Sequence, residues 1–335
     1  EEERRMLINS TGRKWEFTFT TLVTFGGAFF ASFPLFYSTS FGGAYWVWVL
    51  ILFTFIIQAI SYEFQNKAGN LFGVRTFQTG LIINGILGPL LLGGAVATFF
   101  TGSNFIVEKG NITDFTQPVI SHWANGSRGL DVLLNPWVVI FGISVVFLAR
   151  ILGTLYINNN VNDDIIRGRV RKQLLVNTVL FLLFFLPFLI VTLVGEGYAV
   201  NEAGVIVMEP MKYLNNLLAM WPLAIILLVG VVLLLFGIVK TILKPEYVRG
   251  IWPAGIGVVL VVLVLFLIAG WNNTAYYPST AELQSSLTLK NSSSSEFTLK
   301  AMFYVSFLVP FVLAYIVYAW RAIDKKAIDR KEIAE

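Results

Sequence analysis

Eight apolar runs dominate this sequence, and each is long enough to cross the hydrocarbon core of a lipid bilayer. That core is about 30 Å thick and takes about 20 helical residues. Backbone groups in lipid must be hydrogen-bonded within the protein, and run 225–238 lacks the alternation of a membrane β-strand. The sequence therefore predicts an all-α polytopic transmembrane helix bundle, one integral membrane domain over 1–335. The predicted spans are 17–38, 44–62, 79–101, 134–157, 174–195, 220–242, 250–270 and 299–320.

The charged residues between the spans indicate an orientation. Alternate segments hold 17 of the 24 Lys and Arg residues, namely 1–15, 63–77, 158–172, 243–249 and 321–335. The other segments hold four, namely 39–43, 102–133, 197–219 and 271–298. Because cytoplasmic loops of membrane proteins carry the excess of Lys and Arg, both ends of the visible chain, including its C-terminus, are predicted to be cytoplasmic.

Composition narrows the chemistry that the chain could perform. Charged residues make up 13% of it, against about 25% in soluble domains, and the net charge of +4 predicts no nucleic-acid partner. There is no cysteine, so disulfides and thiolate metal sites are excluded. The single histidine, His122, falls in a loop, where an exposed role is expected. We therefore predict no metal or haem ligand set in this chain.

The first span carries a polar stripe at its basic end. It begins with Trp15 and Glu16, and the helical spacing i, i+4 from Glu16 leads to Thr20, Thr24, Ala28 and Ser32. We expect lipid to contact the other faces, which carry Phe17, Phe19, Phe25, Phe29 and Phe30. Two interpretations stay open. The stripe is a packing seam of small and hydroxyl residues, or it is also the cytoplasmic mouth of a proton path, because carboxylates within a membrane are costly and tend to be functional.

Other ionisable residues invite simpler interpretations. Glu63 ends the second span at the level of Glu16 and could pair with Lys67 at i, i+4. Arg150, inside the fourth span, must find a partner or extend to the interface. Phosphate-binding loops, zinc motifs and nucleophile elbows are absent from the sequence. No catalytic residue is therefore predicted in this chain. The sequence starts in a polar stretch, Glu1–Arg5, from which we expect that a further N-terminal segment precedes it.

Several segments resemble subunit II of cytochrome bd-type quinol oxidases. Residues 4–45 resemble that family's pattern of a Trp, an acid, the motif GGAxFAxxPxxY and a short turn. Supporting similarities lie at Leu133–Pro136, Tyr277–Ser279 and Ser293–Met302. The resemblance implies nine spans, of which eight are visible here, and a pseudo-symmetric pairing with subunit I. It also implies that subunit I holds haems b and d and the quinol site, while subunit II ligates none.

The resemblance further implies a place in a respiratory chain and roles for particular residues. The complex would oxidise quinol, reduce O2 to water and take protons from the cytoplasm, in a bacterial cytoplasmic membrane. Glu16 falls on an acid implicated in proton delivery, and Glu63 on a commonly acidic position, which gives a predicted path of Glu16, Thr20, Thr24 and Glu63. A structural quinone would contact Trp15 and Gln58. The chain departs from the family pattern at Gln58 and Gln65, where many members have Arg.

Other partners and other functions stay open at this stage. Membrane lipids and a small accessory single-span subunit are expected beside subunit I. One rival function is a secondary transporter, which would need an internal repeat and broken helices around a polar site at mid-membrane. Charged residues at mid-span are nearly absent, which disfavours it. The other rival is a membrane scaffold or assembly protein without a redox role.

Overall fold

The computed structural model describes residues 2–67, 69–114, 116–323 and 328, with the side chains of Thr18 and Phe19 left aside. The long helices follow the apolar runs. In chain order the helices are α1 (Glu2–Gly12), α2 (Trp15–Ser32), α3 (Pro34–Phe36), α4 (Tyr45–Phe64), α5 (Val74–Thr101), α6 (Pro136–Asn160), α7 (Asp164–Val194), α8 (Lys212–Ala219), α9 (Trp221–Leu243), α10 (Ile251–Gly270), α11 (Leu289–Ser292), α12 (Glu296–Ser306) and α13 (Val309–Ile323).

The predicted class, an all-α polytopic helix bundle, is confirmed. Seven described helices are long and apolar enough to cross a membrane, with Glu296–Ile323 taken as one, and a bent pair at the start of the chain would make eight. Some helices extend beyond the predicted spans into water. The helix α7 begins at Asp164 rather than at 174, because the Asp163 side chain accepts hydrogen bonds from the backbone N–H groups of Ile165 and Ile166.

The first predicted span, 17–38, is not one straight helix. α2 ends at Ser32, and Phe33 has non-helical backbone angles of φ −136° and ψ 67°. Pro34 explains this break, since its ring disfavours the helical conformation in the preceding residue. The chain then turns by 120° into α3 and a π-helical segment, Tyr37–Gly43.

The helices α5, α6, α7, α9 and α10 form a close-packed group, which we call the central bundle. Glycines allow its helices to approach one another. A methyl group added at Gly142 of α6 would lie 2.6 Å from the carbonyl oxygen of Leu90 in α5, and one at Gly237 of α9 would lie 2.5 Å from that of Gly250. No side chain fits at such separations. Close backbone contact between helices is the usual basis of packing in membranes, where lipid is as apolar as the side chains.

The helices α2, α12 and α13 also lie outside that bundle, and together we call them the outer layer. They contact each other through the rings of Phe17 and Trp320, 6.2 Å apart, and through the Ser294 N–H, which donates to the Ser32 carbonyl. Neither α12 nor α13 contains a buried residue. The outer layer therefore presents most of its surface outward.

The segments between helices gather at two ends, as the charge count groups them. At the basic end, Met6 packs with Val161, Ile166, Val170 and Ile328. The rest of the C-terminal segment, where a cytoplasmic C-terminus is predicted, lies at 324–327 and 329–335, outside the described residues. At the opposite end three short antiparallel hairpins occur, which the sequence did not indicate. They pair β1 (Phe105–Val107) with β2 (Ser121–Trp123), β3 (Glu196–Val200) with β4 (Ile206–Pro210), and β5 (Ala275–Tyr277) with β6 (Leu287–Thr288).

Candidate functional site

The polar stripe of α2 lies on the outer surface of the chain. Glu16, Thr20 and Thr24 are all exposed, and the Glu16 carboxylate has no hydrogen bond or ion pair to another described residue. The stripe is therefore not a seam between helices of this chain. Among the phenylalanines, Phe25 and Phe30 are exposed as expected. Phe29 instead packs on the buried Phe36, with ring centroids 4.7 Å apart, and the Phe19 side chain lies outside those described.

The threonine hydroxyls of the stripe are held by their own helix. Thr20 donates to the Glu16 carbonyl at 2.9 Å, and Thr24 donates to the Thr20 carbonyl at 2.8 Å. Each hydroxyl hydrogen is thereby used, while the oxygen lone pairs remain able to accept a hydrogen bond from outside the helix. The stripe thus presents acceptors one helical turn apart, about 6 Å along the axis, which a bridging water could join.

A cavity of about 930 Å³ opens at the basic end beside the first residue of α2. Its walls come from α1, the start of α2, the end of α4 and the start of α5. Trp15 and Glu63 both line it, so the structure brings these two predicted residues together. The Tyr62 hydroxyl donates to Thr11 at 2.9 Å and ties α4 to α1 across the cavity wall.

Two residues of α4 have predicted contacts, Glu63 with Lys67 and Gln58 with a quinone. Glu63 is exposed, and it forms no ion pair with Lys67 or with any other cation of the described chain, so the expected pairing does not occur. Gln58 does not line the cavity. Its side-chain oxygen is buried without a hydrogen-bond partner among the described residues. Of the two expected quinone contacts, only Trp15 faces the open space.

Four arginines line the cavity, and the sequence indicated only that such cations set the orientation of the chain. Arg4, Arg5 and Arg13 come from the N-terminal segment, and Arg75 comes from the first turn of α5. Arg4 Nη1 donates to Gln78 Oε1 at 2.8 Å and links α1 to α5. The signal that could have revealed them was the excess of cations in 1–15. Only the fold shows that cations far apart in sequence meet in one cavity.

The neighbouring cation, Lys14, is turned away from the stripe. Its Nζ lies 4.9 Å from the ring centroid of Tyr156 and 4.9 Å from that of Trp320. Cation–π contacts of this kind favour the charged amine over an aromatic face. Lys14 therefore joins the central bundle to the outer layer at the basic end.

The opposite end holds a second polar cluster, around Asp131. One carboxylate oxygen accepts from Trp123 Nε1 and Ser127 Oγ, and the other from the side-chain amides of Asn104 and Asn125. Burial alone would raise the pKa of the Asp131 carboxyl, but these four donors hold it below its ordinary value. Every partner is a donor, so the site requires an ionised carboxylate, and the cluster fixes the fold of segment 102–133.

The described residues hold no cluster of typical metal ligands. No three His, Cys, Asp or Glu side chains among them come together as a metal site. His122 is exposed on β2, where its backbone pairs with Ile106 in a hairpin at the opposite end. Arg150 finds the partner expected of it, since its Nε donates to Asn177 Oδ1 at 3.1 Å. We therefore assign no catalytic step to a metal ion or haem bound by these residues.

Comparison with known proteins places the geometry in a family. The sequence model described as cytochrome bd terminal oxidase subunit II matches residues 1–323. The chain is 27% identical over 354 residues to the cytochrome bd-I ubiquinol oxidase subunit 2 of Escherichia coli (strain K12), covering 98% of this chain and 87% of that protein. It is 23% identical over 337 residues to the cytochrome bd ubiquinol oxidase subunit 2 of Bacillus subtilis (strain 168), covering 99% and 87%.

Proposed function

Because the chain belongs to the cytochrome bd terminal oxidase subunit II family, we propose that it supports a haem-bearing subunit I and lines the proton-uptake path of a quinol:O2 oxidoreductase. The complex would oxidise quinol and reduce O2 to water in a bacterial cytoplasmic membrane, with the basic end in the cytoplasm. Haems b and d would reside on subunit I. The single histidine and the lack of cysteine in the sequence support that division.

The exposed polar stripe is the observation that carries the proposal. The Glu16 carboxylate and the two hydroxyls face outward along one side of α2, and carboxylates within a membrane segment are costly against lipid and tend to be functional. Purely apolar faces, such as those of α9, can meet lipid without cost. We therefore place subunit I against the outer layer, where it would cover Glu16, Thr20 and Thr24. Lipid and any single-span accessory subunit would share the remaining apolar surface.

The covered stripe would pass protons inward. Glu16 stands at the basic end of α2, at the mouth of the path, and Glu63 lines the cavity beside it. Waters trapped between the stripe and subunit I would accept and donate along the threonine oxygens, whose own hydrogens are held by the helix. Within this chain the residues hold and relay protons, and the redox steps belong to the partner subunit.

A quinone contact is retained at Trp15 and not at Gln58. The indole of Trp15 lines an open cavity at membrane level, whereas Gln58 lies outside the lining. The rival transporter function gains no support from the break at Phe33. That break is surrounded by Phe29, Phe36 and Tyr276, so it offers an aromatic environment rather than a polar substrate site.

The proposal is tested by quinol-driven O2 uptake in purified, haem-replete complexes. Glu16→Gln keeps the shape of the side chain but cannot ionise, so we expect uptake to slow about tenfold or more. Glu16→Asp should retain most of the activity. The matched control is Glu246→Gln, which removes an exposed acid of the basic end away from the stripe.

Two results would contradict the proton role. Turnover of Glu16→Gln at the wild-type rate with full haem content would show that the stripe carries no protons. Loss of haem in Glu16→Gln, with haem retained in Glu246→Gln, would show that Glu16 acts in assembly instead.

A further inference from the structure

We propose that the arginine-lined cavity at the basic end binds the phosphate of an anionic phospholipid, whose acyl chains lie against the exposed loop between α4 and α5. The proposal does not rest on the proton path or on the quinone contact at Trp15. It rests on the charge of the cavity, on its place at the membrane boundary and on the apolar residues beside it.

The cavity gathers positive charge from two parts of the chain. Arg4, Arg5 and Arg13 meet Arg75 there, and Glu63 is the one acid among the described lining residues. In the part of the chain that the structure describes, the guanidinium groups of Arg5 and Arg75 have no hydrogen bond or ion pair. Two planar guanidinium groups, each permanently charged, thus line one cavity from different helices. Guanidinium groups bind phosphate oxygens through paired hydrogen bonds, which makes a phosphate the best-matched anion.

The position of the cavity favours a lipid over a soluble anion. Trp15 is the first residue of α2, and Tyr62 lies in the last turn of α4, so both mark the level where aromatic residues meet lipid headgroups. Basic pockets between transmembrane helices on the cytoplasmic side are typical sites for anionic headgroups. A cavity at this level receives a phosphate from the side of the bilayer.

An exposed apolar pair, Leu71 and Phe72, precedes Arg75 in the chain. Leu71 is 95% exposed and Phe72 is 75% exposed, three to four residues before Arg75. The loop that carries them is ordered by Asn70, whose side-chain oxygen accepts from the backbone N–H groups of Phe72 and Gly73. Large apolar side chains held open in this way are stabilised by acyl chains. Neither inorganic phosphate nor a soluble phosphorylated molecule would use them.

A plain topological role for the arginines predicts something different. Cations that only fix orientation need no common cavity and no neighbouring apolar surface. Lys244 and Arg249, in the loop between α9 and α10, are cations of that kind, because they lie at the same end but do not line the cavity. They provide a control with the same loss of charge.

The test counts phosphatidylglycerol molecules that stay bound to the purified oxidase complex in native mass spectrometry. The detergent-exchanged complex is titrated with phosphatidylglycerol, and separately with phosphatidylcholine. In Arg5→Gln/Arg75→Gln we expect the affinity for the tightest phosphatidylglycerol to fall about tenfold or more, since two charge-assisted contacts are lost. Lys244→Gln/Arg249→Gln should retain it. Leu71→Ser/Phe72→Ser should also weaken binding, because it removes the acyl-chain contact.

The outcomes separate the two sources of phosphate. Equal retention in wild type and Arg5→Gln/Arg75→Gln overturns the site. Displacement of the lipid by millimolar inorganic phosphate, with no effect of Leu71→Ser/Phe72→Ser, overturns the lipid assignment in favour of a free anion. If the double variant does not assemble with full haem content, Arg75→Gln alone decides the question by the same titration.

Discussion

The central bundle and the outer layer show two ways in which one chain meets a membrane. In the central bundle, glycines bring backbones into contact, and residues such as Leu155, Ile151 and Val264 are fully buried. In the outer layer, α12 and α13 bury nothing, and α2 shows an acid and two hydroxyls to the outside. The bundle makes its contacts within the chain, whereas the polar face of the outer layer is open, and we propose that subunit I covers it.

The two regions differ in what they contribute. The central bundle stabilises the fold of the chain, and we propose that the outer layer contacts the partner subunit. Apolar exposure is not informative by itself, since a lipid-facing helix is expected to be apolar. A polar stripe at membrane level is informative, because lipid does not solvate it. On our proposal, the part of the subunit that contacts subunit I is the part that packs least within the chain.

The largest effect should come from the central bundle. Gly142→Ala places a methyl group 2.6 Å from the Leu90 carbonyl oxygen, so α5 and α6 must separate. Overpacking costs about 1–3 kcal/mol when side chains can yield, and a fixed backbone oxygen yields least. We expect little assembled, haem-replete complex in membranes, measured by the yield of haem in the purified oxidase.

The same helix supplies the control. Gly153 has no atom within 4 Å of an added methyl group, so Gly153→Ala should assemble normally and gain slightly in helix stability. Equal yields from the two variants would contradict the claim that the close backbone contact at Gly142 holds α6 against α5.

The loop between α5 and α6 should show an intermediate effect. In the wild type, each oxygen of the Asp131 carboxylate accepts hydrogen bonds from two donors. In Asp131→Asn one of these oxygens becomes an amide nitrogen, whose N–H groups would face the two donors. We expect a loss of about 2 kcal/mol in stability, in line with hydrogen bonds to charged groups at a partly exposed site. The measurement is the thermal unfolding midpoint of the complex, together with proteolysis within 102–133.

The pH dependence of that effect has a definite sign. The pKa of Asp131 is held below its ordinary value of 3.8 in the folded chain. Its stabilisation is therefore complete above pH 3.8 and is lost as the pH falls through the lowered folded value. The gap in stability between wild type and Asp131→Asn should close only in strong acid, and a gap that closes above pH 5 would contradict the proposed role of the carboxylate.

The long helices of this molecule could be predicted from the sequence. The features that depend on contacts between residues far apart in the chain could not. Apolar run length predicts the helices because lipid allows few other structures, and loop charge predicts which segments share an end. The break after Ser32 follows from Pro34 and could have been anticipated. The hairpins at the opposite end could not, since strands of two to five residues carry little pattern of their own.

The candidate site was predictable residue by residue but not as an arrangement. The spacing of Glu16, Thr20 and Thr24 places them on one helical face, and nothing in the sequence says that this face points away from the rest of the chain. The meeting of Arg5 with Arg75 depends on how α1 lies against α5. The pairing expected of Glu63 with Lys67 was wrong, because spacing allows an ion pair but does not require one.

The smallest effects should come from single hydroxyls of the outer layer. Thr20 and Thr21 both donate to their own helix, at 2.9 Å to Glu16 and 2.7 Å to Phe17, so their replacement by Val should change the stability alike, by less than about 0.5 kcal/mol. Only Thr20 lies on the stripe. O2 uptake should therefore slow a few-fold in Thr20→Val and stay unchanged in Thr21→Val. Equal rates would place the path elsewhere.

The central claim, that subunit I covers the polar stripe, is tested most directly by site-specific photo-crosslinking in native membranes. A photoreactive amino acid replaces Thr24 on the stripe or, as the control, Val232 on the lipid-facing side of α9, which is 63% exposed. The account predicts a crosslinked band that carries haem and subunit I from position 24, and no such band from position 232. A band from position 232 alone, or from neither position in a complex that retains its haem, would contradict it.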